Sequence, residues 1–297
     1  MQKRKLGNQG DMVSCIGFGA WPIGGGMGRV EEREAIATVH AAIDLGITLI
    51  DTAQAYRESE GFLGRALAGG KREKVFLATK VSFDFSPRGI RAAIEKSLHD
   101  LKTDHVDLYQ LHSWSDRYPV EESIEELAKL KEEGKIRLIG VSNYSVEQMM
   151  RAGKVARIDS SQPRYNMFDR EIERDQIAYC RREGIGIFAH SVFAKGLLTG
   201  KYSATSVFPA DDERRNMPRF QGAELRSYLE RAERLSAVAR DTGATLVQLA
   251  IAWVLRAPEV TCALCGAKSA KQIEEQVKGA ELTLNAETLE RIEKVLA

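Results

Sequence analysis

Short runs of apolar, β-prone residues recur along the chain at Val13–Gly17, Thr48–Asp51, Val75–Lys80, Val106–His112, Ile136–Ser142, Ser160–Tyr165, Gly186–His190 and Thr261–Cys265. Between them the apolar period changes to that of a helix: Ile36, Val39 and Ile43, then Ile90, Ile94, Leu98 and Leu101, then Val120, Ile124, Leu127 and Leu130. Pro87 and Pro119 stand where helices begin and Gly134 where one ends, positions that tolerate each residue. The first six intervals between strand ends run from 23 to 34 residues, room for one helix and one strand each, and the last is 75. Eight parallel strands joined by helices predict an α/β fold, a closed (β/α)8 TIM barrel. Ahead of it, Lys3–Leu6 and Asp11–Val13 flank a turn containing Gly7, Asn8 and Gly10, the pattern of a small N-terminal β-hairpin. The long last interval holds a polar stretch, Lys201 to Gly222, with the run Asp211-Asp212-Glu213-Arg214-Arg215, and then helical patterns near 225–241 and 245–256 that predict additional C-terminal helices. Such a loop in a compact unit reads as a lid or binding loop. No internal repeat or linker divides the chain, so residues 1–297 are expected to form a single domain.

Composition narrows the partners. The 297 residues carry 43 Lys plus Arg against 42 Asp plus Glu, a formal charge of +1, without the basic excess of a nucleic-acid binder or a polybasic membrane surface. Nothing approaches the roughly 20 consecutive apolar residues of a membrane span, and Met1–Gly7 lacks the apolar core of a secretory signal. A small-molecule partner and a cytoplasmic location are the expectations, with monomer and homo-oligomer both open. Cys262 and Cys265 form a CxxC within a strand-like run, where residues three apart face opposite ways, so they and Cys15 and Cys180 read as buried thiols. No spacing resembles a zinc site, and no metal is expected. His40, His99 and His105 fall on helices or their ends and read as surface residues.

In a barrel of this kind chemistry gathers at the C-terminal ends of the strands. Three runs end on reactive groups, Asp51, Lys80 and His112, and Tyr56 can return a phenol to the same mouth from the loop after Asp51. A phenol is a weak acid at neutral pH, and an ammonium beside it favours ionisation; Lys80 is expected to bring Tyr56 toward a useful range with Asp51 holding Lys80, while His112 bonds the oxygen of a carbonyl. Trp21, Phe83 and Trp114 follow strands and are candidates for an apolar substrate wall. Two glycine patterns mislead: Gly17-Phe18-Gly19 lacks a third glycine, and Gly196 to Lys201 falls one residue short of a Walker motif.

The segments Asp51-Thr52-Ala53-Gln54-Ala55-Tyr56 with Ser59-Glu60, Ala78-Thr79-Lys80, Asp107 to His112, and Leu130 to Asn143 together make the chain resemble the aldo-keto reductase family over essentially its full length. The resemblance implies reduction of aldehydes or ketones to alcohols by NADPH, preferred over NADH, with Tyr56 as general acid, Lys80 and Asp51 as its tuning pair and His112 orienting the carbonyl. It implies Ser142, Asn143 and Gln162 for the nicotinamide carboxamide and position 190 as the ring's stacking platform. It further implies Ser191, Gly196, Leu197, Gly200 and Lys201 near the pyrophosphate, and Gly266, Lys268, Ser269, Gln272 and Gln276 at the adenosine end, with Lys268 and Ser269 suited to a 2′-phosphate. The long loop after position 201 is expected to fold over the cofactor. Departures from the family pattern are His190 for Tyr, with an imidazole that can ionise, Arg57 for Gly, Cys265-Gly266 for Pro-Gly, and Gln276 for Asn. Two other classes stay open: a cofactor-binding regulatory protein resembling potassium-channel β subunits, and a Schiff-base aldolase using Lys80.

Overall fold

The computed structural model describes residues 1–8, 10–210 and 212–297, so Asp211 of the charged run lies outside the described residues. Strands β1 (Lys3–Lys5) and β2 (Met12–Ser14) pair antiparallel as the hairpin. Eight parallel strands then close into a barrel: β3 (Ile16–Gly19), β4 (Leu49–Asp51), β5 (Phe76–Val81), β6 (Val106–Leu111), β7 (Ile136–Ser142), β8 (Ser160–Gln162), β9 (Gly186–Ala189) and β10 (Val260–Gly266), the last pairing with both β9 and β3. Helices α1 (Glu32–Asp44), α2 (Ser59–Ala66), α3 (Pro87–Leu101), α4 (Val120–Glu132), α5 (Val146–Gly153) and α6 (Gln176–Glu183) connect successive strands. The long last connection contains α7 (Gly222–Asp241) and α8 (Leu246–Leu255), and α9 (Ala270–Gly279) and α10 (Ala286–Leu296) complete the chain.

Local chemistry explains the boundaries. Ser86 caps α3 by accepting from Gly89 N at 3.1 Å with Pro87 in the first turn, and α5 and α8 open with capping boxes at Ser145/Gln148 and Thr245/Gln248. Most strand ends fall within two residues of expectation, and two larger differences have a local cause. Val13, expected at the end of the hairpin and at the start of the first barrel strand, belongs to the hairpin alone, because Arg4 opposite it supplies antiparallel pairing. The sixth barrel strand stops at Gln162 instead of Tyr165, since Pro163 has no N–H to continue the ladder.

Two apolar layers hold the barrel. One lies between sheet and helices; the other fills the interior with Leu49, Phe76, Ala78, Leu108, Leu138, Phe188, Cys262 and Leu264 and is closed from below by Leu6 and Val13 of the hairpin. Strand alternation extends these interior columns upward. Above Leu49 stands Asp51, above Ala78 stands Lys80, above Leu108 stands Gln110, and Gln162 tops β8. The plugged barrel end is thus apolar and the open end polar. The four cysteines are buried and unbridged, with Cys262 in the interior layer and Cys265 in the outer one, as residues three apart on a strand must be. His99 is exposed, whereas His40 is half-buried because its Nε2 lies 2.9 Å from the carbonyl of Ala66 on α2.

Candidate active site

The polar tops of the interior columns meet. Lys80 is fully buried, and its Nζ donates to Asp51 Oδ1 at 2.5 Å, to the Thr52 carbonyl at 2.8 Å and to the Tyr56 hydroxyl at 3.5 Å. The ammonium also sits 5.0 Å from the centroid of the Tyr56 ring. On the other carboxylate oxygen, Asp51 Oδ2 accepts from Gln162 Nε2 at 2.9 Å and from Gln110 Nε2 at 3.2 Å. Tyr56 is held between Trp21, edge-on at 4.9 Å, and the His112 ring at 5.6 Å. The turn that brings it there needs Gly24: a Cβ at that position would stand 2.0 Å from the Tyr56 carbonyl oxygen. Arg57 adopts a left-handed φ of 48°, which accounts for glycine being common there in the family pattern; its guanidinium donates to the Gly25 carbonyl at 3.0 Å.

The electrostatics depart from expectation. Burial pushes the Tyr56 hydroxyl above the ordinary phenol range and outweighs the lowering influence of Lys80, while Asp51 raises it further. Tyr56 is therefore a phenol kept protonated beside a cation, not one brought down toward neutrality. Burial opposes the charge on Lys80, but Asp51 and Tyr56 together raise it above the usual ammonium value. Burial and then Lys80 push His112 down to about 3; its Nδ1 lies 2.7 Å from the Ser82 hydroxyl, and a Ser82 that donates there leaves the ring proton on Nε2.

A cavity of about 600 Å³ opens above these groups. Trp21, Asp51, Tyr56 and His112 line it, as do Ser142, Asn143 and Gln162. Those last three are interlocked: Ser142 Oγ donates to the Gln162 carbonyl at 2.9 Å and accepts from Asn143 Nδ2 at 3.0 Å, which also donates to the His112 carbonyl at 3.1 Å. His190 also lines the wall, its Nδ1 2.9 Å from Ser191 Oγ and its Nε2 2.9 Å from Asn143 Oδ1. Burial first, then the cations Lys80 and Arg164, push His190 down to about 3, so the imidazole does not ionise near neutrality as expected of a free one.

The cavity runs on past Ser191, Gly196 and Lys201 to Gly266, Lys268, Gln272 and Gln276. Lys268 donates to the carbonyls of Met27 and Gly28, tying the start of α9 to the loop after β3. Gln276 Nε2 donates to the Gly266 carbonyl at 2.8 Å, and its buried Oε1 has no partner, an acceptor that suits the exocyclic amine of a purine. Leu197 is buried behind the wall, while Gly200 and Ser269 are exposed outside the lining.

Two of the three aromatic candidates for a substrate wall stand elsewhere. Phe83 is 68% exposed and outside the cavity, and Trp114 packs edge-on against Tyr144 at 5.3 Å with its N–H on Asp116, because the loops after β5 and β6 turn outward. Only Trp21 of the three lines the cavity. The polar loop folds back over the mouth: Glu213 Oε1 accepts from Trp21 Nε1 at 3.1 Å and from Lys195 Nζ at 2.6 Å, and buried Arg214 anchors the segment on Asp212, Tyr202 and the Lys195 carbonyl. Gln110, Ser82, Arg164, Lys195 and Glu213 escaped the sequence reading. Gln110 alone had a local signal, since it shares the inward column of β6 two residues before His112. Among the described residues no group of three or more His, Cys, Asp or Glu is placed to hold a metal, and no helix is long and apolar enough to cross a membrane.

The sequence and the barrel have counterparts among known proteins. The model of the aldo/keto reductase family matches residues 15–297. The chain is 39% identical over 311 aligned positions to aldo-keto reductase YhdN of Bacillus subtilis (strain 168), covering 100% of this chain and 94% of that protein. It is 32% identical to probable aldo-keto reductase 1 of Glycine max, covering 98% and 88%. Among solved structures, the glycerol dehydrogenase AKR11B4 from Gluconobacter oxydans superposes with a TM-score of 0.90 at 35% identity, covering 99% of this chain and 95% of that one. The thermostable aldo-keto reductase Tm1743, solved with the inhibitor epalrestat, gives 0.81 at 27%, covering 99% and 100%. With the barrel matched from its first strand to the chain end and a relative this similar over the full length, the chain belongs to the aldo/keto reductase family.

Proposed function

We propose that the protein reduces aldehydes or ketones to alcohols with NADPH, Tyr56 delivering the proton and Lys80, Asp51 and His112 arranging it. The observation that carries this reading is the buried Lys80–Asp51 pair within hydrogen-bond reach of the Tyr56 hydroxyl at the floor of a cavity. As a carbonyl oxygen gains negative charge, Tyr56 releases its proton to it, and Lys80, 3.5 Å from the hydroxyl, stabilises the phenolate left behind. Asp51 prevents Lys80 from being an uncompensated buried cation, and neutral His112 offers a hydrogen bond without competing as an acid near neutral pH.

A nicotinamide coenzyme supplies the hydride when bound. Ser142, Asn143 and Gln162 would hold its carboxamide, His190 would flank the ring, and Gln276, with an orphaned buried acceptor, would take the adenine amine. Lys268 at the start of α9 supports the 2′-phosphate assignment, since cations and helix N-termini both favour phosphate. Exclusion of water by Trp21 and the Glu213 segment strengthens each of these interactions.

A coenzyme-consumption screen of NADPH and NADH against a panel of aldehydes and ketones tests the proposal. Tyr56→Phe should lower turnover by roughly a hundredfold or more while leaving NADPH affinity within about threefold. Unchanged turnover would remove Tyr56 from its role.

A further inference from the structure

We propose that Gln110 is a positioning residue for the reduction, one that ties the wall carrying Gln162 to the Asp51–Lys80 pair so that coenzyme seating and proton delivery share one hydrogen-bonded unit. The inference rests on the reductase reading and adds to it a residue outside the four groups assigned above. Gln110 is fully buried on β6, directly opposite Lys80 in register. Its Nε2 donates to Asp51 Oδ2 at 3.2 Å, and its Oε1 accepts from Gln162 Nε2 at 3.3 Å. Gln162 Nε2 in turn donates to the same Asp51 oxygen at 2.9 Å, closing a three-sided ring of hydrogen bonds beneath the cavity floor.

The ring leaves each member one role. Both amide hydrogens of Gln162 are directed at Asp51 and Gln110, so the group Gln162 has left for the cavity is its carbonyl oxygen, an acceptor for a carboxamide N–H. Asp51 turns Oδ2 to the two glutamines and Oδ1 to Lys80. An apolar side chain at 110 would deprive Gln162 of an acceptor and Asp51 of a donor at once, leaving the single Gln162–Asp51 bond to fix the orientation of both. The fold makes room for the amide: a Cβ on Gly140, the neighbour of Gln110 on β7, would stand 2.8 Å from Gln110 Cγ and 2.3 Å from Ser160 Oγ. Buried polar networks hold their geometry only when every member is satisfied, and here removal of one amide opens the ring on two sides.

Two substitutions test the role. Gln110→Met keeps the volume and removes both hydrogen bonds; it should lower kcat roughly ten- to hundredfold, weaken NADPH binding several-fold by fluorescence titration, and leave KM for the carbonyl substrate within about twofold. Gln110→Glu separates position from bulk. Two buried carboxyls at hydrogen-bond distance share one proton, and the protonated acid donates to Asp51 as the amide does. This variant should approach wild-type kcat at the acid end of the profile and lose activity as the shared proton leaves, adding a descending limb below the one set by Tyr56, which wild type and Gln110→Met lack. Thermal unfolding of both variants establishes that they are folded. A Gln110→Glu profile superimposable on wild type, or a folded Gln110→Met within twofold in both kcat and NADPH affinity, would overturn the assignment. Failure of the reductase reading shows separately: the wild-type protein would then consume no NADPH with any carbonyl, or Tyr56→Phe would match it, and the role of Gln110 would fall with that reading.

Discussion

Removing Lys80 isolates the energetic core of the site. Its ammonium serves three acceptors at once, Asp51, the Thr52 carbonyl and Tyr56, in a place with no solvent access. Lys80→Met has nearly the same volume, so the cost is electrostatic: Asp51 becomes a buried carboxylate held only by Gln110 and Gln162, and the Thr52 carbonyl loses its donor. Breaking one side of a buried pair costs about 3–5 kcal/mol. For a chain of this length that lowers the midpoint of thermal unfolding by roughly 5–10 °C. The sign with pH follows, because the stranded Asp51 can take up a proton: the deficit is greatest at high pH and shrinks as pH falls. Asp51→Asn combined with Lys80→Met removes both charges and should return stability to within about 2 kcal/mol of wild type, while turnover stays about a hundredfold or more down in single and double variants alike. Circular dichroism melts over a pH series, with coenzyme oxidation measured in parallel, read both quantities. A Lys80→Met midpoint equal to wild type, or a double variant no more stable than the single, would refute the premise that the pair is mutually compensating.

Three further outcomes are expected. Lys268→Ala should weaken NADPH by about ten- to a hundredfold and NADH by less than about twofold in direct titrations; equal losses would show that Lys268 serves only to tie down Met27 and Gly28. His190→Tyr enlarges the ring at the cavity wall and releases Asn143 Oδ1, so coenzyme affinity should hold or tighten, and a tenfold loss would place the stacking surface elsewhere. His112 and His190 are both pushed down to about 3 in the folded protein, whereas an unfolded imidazole titrates near 6.5. The unfolded chain therefore binds more protons between those values, so stability is lost as pH falls from about 6.5 toward 3, and replacing both residues by Gln should flatten that slope in acid melts.

Much of the fold was written in local pattern. Strand alternation and helical period depend on which side chains face away from water, a property carried by neighbours in the chain, and this is why eight strands and the hairpin were legible. The placement of Asp51, Lys80 and His112 at strand ends followed from the same alternation. Val13 fitted both the hairpin and the first barrel strand because it is apolar in either setting: the interior layer receives it from the hairpin as it would from the barrel. Phe83 and Trp114 misled for a related reason, since an aromatic after a strand says nothing of which way its loop turns.

By itself the sequence determined the repeat, the polar rim of the barrel and the family, all of which rest on short-range periodicity or contiguous motifs. Tertiary structure alone decided how those groups behave. Burial keeps Tyr56 protonated despite Lys80 and keeps His190 neutral, because desolvation depends on the packing of segments far apart in the chain. The joining of Gln110, Gln162 and Asp51 likewise required β4, β6 and β8 to curve around one axis, bringing together side chains that 59 and 111 residues of sequence separate from Asp51.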